Sequence, residues 1–231
     1  MEPIKQPLRY EYKMISDTLT LQDVLSLVRG HSAMFHRPYP TRTVNNVYFD
    51  SPGLKSYFDH ICGASNREKT RVRWYGEPSG EINNPVLERK IKYGQVGCKW
   101  TEELQSLQLD EGGPWPIPGS VLSSNDLSKE LVHWRLGTVQ PMLSLQYVRH
   151  YFESADAKYR VTVDTDLQYV GLSSSGKPEK HSKSKAPIIV EIKYSPEHAT
   201  DVSVITNELP FRISQFSKYI YATEGLRGVH Q

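Results

Sequence analysis

Charged side chains recur at every second position through much of this chain, and that spacing limits the folds open to it. A period of two belongs to the β-strand, whose successive side chains point to opposite faces. The alternation predicts strands over 7–14, 42–49, 68–75, 85–93, 97–104, 142–152, 158–168 and 187–194. Helical spacing is confined to three stretches. About 19–31 sets Leu21, Val24, Leu25 and Val28 on one face, about 124–136 clusters Leu127, Leu131, Val132 and Trp134, and 211–225 carries Phe211, Ile213, Phe216, Tyr219 and Ile220. Residues 52–61 read as a short helix or a continuing strand after the Ser51-Pro52-Gly53 turn. Two segments read as loops: 112–120, which holds three prolines, and 171–187, polar and basic after Leu172. No internal repeat divides the 231 residues, so the expectation is a single domain, 1–231, of the α+β class.

Taken strand by strand, one face collects the ions. The first strand offers Arg9, Glu11 and Lys13; the third Arg71 and Arg73; the fourth Glu88, Lys90 and Lys92. The sixth offers Tyr147, Arg149 and Tyr151; the seventh Arg160, Thr162 and Asp164; the eighth Glu191 and Lys193. Val72 and Trp74, Leu87 and Ile91, Val161 and Val163, and Val190 and Ile192 lie opposite. That face carries nine basic residues against four acidic ones, in a chain whose net charge is only +2, so the rest of the molecule is net negative. Any single strand here fits an ordinary wetted sheet face. Read together, the strands repeat Arg or Glu followed two residues later by Lys or Arg, and arginine is the side chain for bidentate grip on phosphate oxygens. An eight-stranded antiparallel sheet closed into a barrel, with helices packed outside, would turn this face into a basic polar lumen. Such a lumen repels itself when empty. It calls for a polyanion, with a divalent metal for its carboxylates.

Other chemistries lack their signatures. The near-balance of 28 basic and 26 acidic residues argues against a sequence-blind nucleic-acid binder, and the strands lack regularly interleaved aromatics for stacking bases. The eight histidines show no metal-ligand spacing, and no phosphate-binding Gly-x-x-x-x-Gly-Lys-Ser/Thr run or Gly-x-Ser-x-Gly elbow occurs. Two cysteines, Cys62 and Cys98, are read as small buried hydrophobes. The opening MEPIKQPLRYEYK carries charge where a signal peptide needs an apolar run, and no stretch approaches ~18 apolar residues. A cytoplasmic location with no membrane segment is therefore expected.

The elements Arg9-Tyr10-Glu11-Tyr12-Lys13, Tyr48-Phe49-Asp50, Arg71-Val72-Arg73, Glu88-Arg89-Lys90, Tyr147-Val148-Arg149, Arg160-Val161-Thr162-Val163-Asp164, Glu191-Ile192-Lys193-Tyr194 and Phe216-Ser217-Lys218-Tyr219 follow one another in that order. Together they resemble the VTC domain of polyphosphate polymerases, in the triphosphate-tunnel superfamily that also contains CYTH-type triphosphatases. The resemblance runs from about residue 7 to 225. It implies an eight-stranded antiparallel tunnel. The implied activity is transfer of the γ-phosphate of ATP, or another nucleoside triphosphate, to a growing polyphosphate chain with release of ADP, aided by Mn2+ or Mg2+. Hydrolytic relatives open with Glu-x-Glu-x-Lys; here the first position is Arg9, as in the VTC pattern. A triphosphatase on the same fold and a non-catalytic module that binds polyphosphate or a phosphorylated ligand are the alternatives, and polyphosphate and pyrophosphate are expected ligands beside the nucleotide. Some VTC proteins sit in membrane complexes, which leaves room for a membrane partner protein.

Carried over residue by residue, the resemblance implies that Arg71, Arg73 and Lys90 grip phosphate oxygens, with Arg149 and Arg160 on the opposite wall. Lys13 closes the first motif and Lys193 is a further lumen cation. Ser217 and Lys218, placed in the last helix, touch phosphates from one end. Tyr147 hydrogen-bonds a phosphate or orients its neighbours, and Lys99 matches another family lysine in an uncertain register. Glu191 is the first candidate for a metal carboxylate and Glu11 the second, or else Glu11 holds an arginine. Glu88 and Asp164 read as structural partners of neighbouring cations.

Overall fold

A computed structural model describes residues 4–5, 10–93, 96–115, 139–182 and 186–228. Arg9, the helix expected over 124–136 and most of the loop expected over 112–120 lie outside them. The strands are β1 Ile4–Lys5, β2 Tyr10–Ser16, β3 Arg42–Asp50, β4 Asn66–Tyr75, β5 Gly80–Ile82, β6 Val86–Tyr93, β7 Val96–Glu103, β8 Leu107–Leu109, β9 Gln140–Glu153, β10 Tyr159–Leu172, β11 Pro178–Ser182, β12 Ile188–Tyr194 and β13 Arg212–Ile213. The α-helices are α1 Leu21–Arg29, α2 Lys55–Ile61, α3 Val202–Asn207 and α4 Lys218–Leu226. All eight expected strands are present. The segment 52–61 contains a helix, α2, and the loop expected over 171–187 instead contains β11, which pairs with β10. The helix expected over 211–225 begins only at Lys218, because Arg212 and Ile213 pair with β2.

Eleven strands form one antiparallel sheet in the order β1-β7-β6-β4-β3-β9-β10-β12-β2-β13, with β11 beside β10; β5 and β8 pair separately. The expected closed eight-stranded barrel is not what the described residues form: among them the ladder has two ends and does not close. The sheet nonetheless curls strongly. Six strand spacings separate β6 from β2, about 29 Å in a flat sheet. Yet Lys90 Nζ on β6 lies 3.2 Å from Glu11 Oε2 on β2. Two side chains cannot span that gap unless the charged face is on the inside of the curl. The two ends are also covalently tied, since only five peptide steps, at most about 19 Å, run from Lys5 on β1 to Tyr10 on β2.

Two apolar clusters cover the outer face. Met14, Phe152, Val161, Val163, Val190 and Ile192 pack under Val24, Leu25 and Val28 of α1 and Val202 and Ile205 of α3. Thr20 starts α1 through a capping box: its hydroxyl accepts from Asp23 N, and Asp23 Oδ2 accepts from Thr20 N. Val47, Phe49, Val72, Trp74 and Leu87 pack with Ile82 and Trp115. The third cluster departs from expectation. Val44, Tyr48, Leu143, Leu145 and Tyr147 share the charged face by register, and Tyr57 of α2 and Tyr219, Ile220 and Ala222 of α4 lie on them. So α1 and α3 pack outside, whereas α2 and α4 occupy one end of the interior. Among the described residues no helix is long and apolar enough to cross a membrane.

Candidate functional site

The placement of α4 fixes one end of the interior, and Asp50 fixes α4. Asp50, 1% exposed at the end of β3, accepts from Ser51 N (2.7 Å), Ser56 N (2.9 Å) and Tyr57 N (3.1 Å) at the start of α2, and from Tyr219 Oη (2.6 Å) in α4. One carboxylate thus supplies α2 with the cap that Leu54 cannot, and pins the first turn of α4. Ser217 is the N-cap of α4, with its hydroxyl accepting from Ile220 N, and Lys218 is the first helical residue. Lys218 is thereby aimed into the sheet, 2.5 Å from Asp164 Oδ2, 3.3 Å from Glu191 Oε1, and over the buried Tyr147 ring.

Four carboxylates organise the inner face, each holding two or more cations. Glu88, 3% exposed, accepts from Arg71 Nε (2.8 Å) and Nη2 (2.5 Å) and pairs with Arg73 (3.0 Å) and Lys99 (2.6 Å). Burial pushes its carboxyl up, but Arg71, Arg73 and Lys99 together hold it well below the usual range. Asp164 accepts a two-pronged contact from Arg149, 2.6 Å on each oxygen, besides Lys218. Glu191 meets Lys193 (3.0 Å), Lys218 and Arg149 (3.5 Å). Burial opposes ionisation of both, and the surrounding cations reverse it. Glu11 joins Lys13 (3.1 Å) to Lys90 (3.2 Å). Burial and Glu191 raise its carboxyl, and Lys13, Lys90 and Lys193 hold it down at about 2.

Twelve of the thirteen residues expected at the site gather here. Lys99 faces inward, since it stands opposite Lys90 and reaches Glu88. Burial brings its ammonium down to about 8 despite that partner. Lys13 also donates to Phe216 O (3.1 Å), just before α4. Arg160 is the exception: although its register puts it on the inner face, its side chain is 56% exposed at the strand end, bound to Glu153 at 2.9 Å. Glu88 and Asp164 pair with cations as expected. Cys62 is exposed, contrary to expectation, and the Cys98 side chain lies outside the described residues.

Sequence reasoning missed Lys69. It continues the Arg71, Arg73 series by one step of two, and counting that alternation back along the strand finds it. Its Nζ lies 2.8 Å from Ser217 Oγ and 3.3 Å from His60 Nδ1, and no carboxylate among the described residues pairs with it. Burial, then Lys13, Lys90 and Arg67, bring its ammonium down to about 7. The assembled interior holds Lys13, Lys69, Arg71, Arg73, Lys90, Lys99, Arg149, Lys193 and Lys218 against Glu11, Glu88, Asp164 and Glu191. The carboxylates aim the cations without neutralising them, which is what an anion-binding surface requires.

A divalent cation has a partial donor set. Among the described residues no group of three or more His, Cys, Asp or Glu side chains is disposed to hold one. Glu11 and Glu191 do lie close enough to raise each other's cost of ionisation. One or two carboxylates with phosphate oxygens completing the shell suit Mg2+ or Mn2+.

Comparison with known proteins agrees with this architecture. The model of the VTC domain matches residues 8–227. No curated protein is significantly similar in sequence. Among solved structures, the PH1819 protein from Pyrococcus horikoshii OT3 is 13% identical with a TM-score of 0.52, covering 94% of this chain and 99% of its own. HpAC1 from Hippeastrum, named a candidate adenylyl cyclase with a dominant triphosphatase activity, is 14% identical with a TM-score of 0.52, covering 95% of this chain and 96% of its own. At these identities the likeness is one of fold.

Proposed function

Because the chain belongs to the VTC domain family, we propose that it is a polyphosphate polymerase, transferring the γ-phosphate of ATP to the end of an inorganic polyphosphate and releasing ADP. The observation that carries this reading is the inner face itself, where four buried or half-buried carboxylates hold eight cations in place and Lys69 stands beside them on Ser217. Phosphoryl transfer asks a protein for in-line positioning and for charge opposite the equatorial oxygens, not for covalent chemistry. Arg71, Arg73, Lys90 and Lys99 serve one wall, Arg149, Lys193 and Lys218 the other, and Lys13 and Ser217 the end closed by α4. Arg160 acts at the rim, where it meets phosphate only as the chain enters. Tyr147 lies under both Arg149 and Lys218 and holds their heads in place.

Transfer to phosphate, not to water, is supported by the pairing of the carboxylates. A polyphosphate end is already anionic and needs no base, whereas attack by water does. Each interior carboxylate is bound by at least two cations, so none of the four stands free to take a proton from water. A Mn2+ or Mg2+ ion would be held by Glu191, with Glu11 beside it and phosphate oxygens around it. It would neutralise charge building on the bridging oxygen. The second reading, a triphosphatase, rests on the fold shared with the Hippeastrum protein. Incubation with ATP and Mn2+ distinguishes them. Polyphosphate and ADP in matching amounts support the polymerase; orthophosphate as the sole phosphate product overturns it.

A further inference from the structure

At the end of the inner face away from α4, four side chains form a cluster for which phosphate binding gives no reason. The guanidinium of Arg42, the first residue of β3, sits 5.2 Å from the ring centre of Tyr39, 5.2 Å from Tyr75 and 5.7 Å from Tyr151. Tyr39 and Tyr151 meet edge to face at 5.8 Å. Three rings of one type around one arginine make an electron-rich aromatic cluster, and it is not sealed: Tyr39 is 53% exposed and Tyr75 is 41% exposed.

Register places this cluster on the same face as the phosphate-gripping cations. Arg42 stands opposite Arg149, and Tyr75 lies two residues beyond Arg73 on β4, about 7 Å along the strand. Arg73 joins the two regions directly, donating from Nη1 to Tyr75 Oη (2.6 Å) while its Nη2 holds Glu88. Along β4 the order is therefore α4 contact at Lys69, anion grip at Arg71 and Arg73, aromatic surface at Tyr75. An anion lying with its terminal group toward α4 would have its other end at the tyrosines.

We propose that the Tyr39, Arg42, Tyr75 and Tyr151 cluster is a stacking surface for the nucleobase of the phosphate donor, and that it is what separates a nucleoside triphosphate from an inorganic polyphosphate at the entrance. The inference rests on the reading of the inner face as the phosphate site. Stacking accepts any base because every base has a flat π-face, so the surface favours nucleotides as a class and purines by ring area.

Equilibrium binding of ATP and of inorganic tripolyphosphate, at physiological ionic strength, tests this in wild type, Tyr39→Ala and Tyr75→Phe. Tyr39 is the probe because it is exposed and uncharged. Tyr39→Ala should weaken ATP about tenfold, equivalent to about 1.4 kcal/mol, and change tripolyphosphate less than twofold. Tyr75→Phe keeps the ring and should retain the ATP preference. Equal losses for both ligands in Tyr39→Ala, or no loss for ATP, overturn the stacking surface while leaving the phosphate site standing. Wild-type protein that binds neither ligand overturns the phosphate site and this inference together.

Discussion

Replacing Glu88 with Gln should make the free protein weaker and its anion binding stronger, an opposition that a merely structural glutamate would not produce. Glu88 is almost fully buried and is the sole carboxylate paired with Arg71, Arg73 and Lys99 among the described residues. Glutamine keeps the shape and removes the charge, leaving three part-buried cations facing one another. Breaking a buried ion pair from one side costs about 3–5 kcal/mol. The three partners retain some water, which puts the cost near the lower end, about 3 kcal/mol. For a chain of this size that lowers Tm by about 6–12 °C. The same change frees three donors for phosphate, so tripolyphosphate should bind about tenfold tighter. Ligand stabilisation grows as RT ln(1 + [L]/Kd), which adds about 1.4 kcal/mol at saturating anion. Thermal melts of both proteins across a tripolyphosphate series read both terms. A variant as stable as wild type, or one that tripolyphosphate stabilises less than wild type, refutes the view that Glu88 aims cations at a phosphate.

Three further outcomes follow from the same interior. Glu88, Asp164, Glu191 and Glu11 all have lowered folded values, so the unfolded chain binds more protons as pH falls below about 4.5, and stability drains away toward pH 2. His60, brought down to about 4 chiefly by burial, starts the loss near pH 6.5; urea midpoints unchanged from pH 7 to pH 3 would contradict this. Lys69 faces Ser217, His60 and Tyr219, with Lys13, Lys90, Arg67 and Glu11 nearby, and sits near 7 in the free protein. An anion cancels that repulsion, so tripolyphosphate binding at pH 8 should take up close to one proton, read calorimetrically in buffers of different ionisation enthalpy, and Lys69→Gln should abolish most of it. Tyr219→Phe removes the hydroxyl bound to Asp50 and should cost about 2 kcal/mol, the range for a hydrogen bond to a charged group. An unchanged denaturation midpoint would show that Asp50 does not depend on that bond.

The strands and their charged face were legible because burial on one side imposes alternation. It located Arg71, Arg73, Glu88, Lys90, Arg149 and Glu191 on one surface before any coordinates. It failed where geometry breaks the period. A register shift between Thr165 and Gln168, with Asp166 at φ 53°, ends the parity of β10 beyond Asp164. β11 is an edge strand carrying Pro178 and Lys180, composition that edges tolerate and that reads as loop. The apolar run from 211 serves two cores: Phe211 belongs with α1 and α3, Tyr219 and Ile220 with α2. A single amphipathic pattern cannot reveal that its two halves face different ways. Closure depended on which edges pair, and side-chain period carries no information about that.

An unclosed ladder changes what holds the interior together. Hydrogen bonds between strands run continuously from β1 to β13 but, among the described residues, do not join those edges. Besides the covalent tie between β1 and β2, side-chain links across the gap are ionic or polar: Lys90 to Glu11 between β6 and β2, and Lys69 to Ser217 between β4 and the start of α4. Each involves a lysine of the inner face proposed to hold phosphate, so under that proposal the groups that span the cavity are those a polyanion would engage. An anion entering there competes for Lys90 and Lys13 while drawing both walls toward itself. Lys90 is more than half exposed, and contacts of that kind weaken with salt. The curl is therefore coupled to charge: with the polyanion absent, rising ionic strength loosens the β6–β2 contact, and with it present the bound phosphates take over the bridging. Shape and affinity in this interior are set by the same lysines.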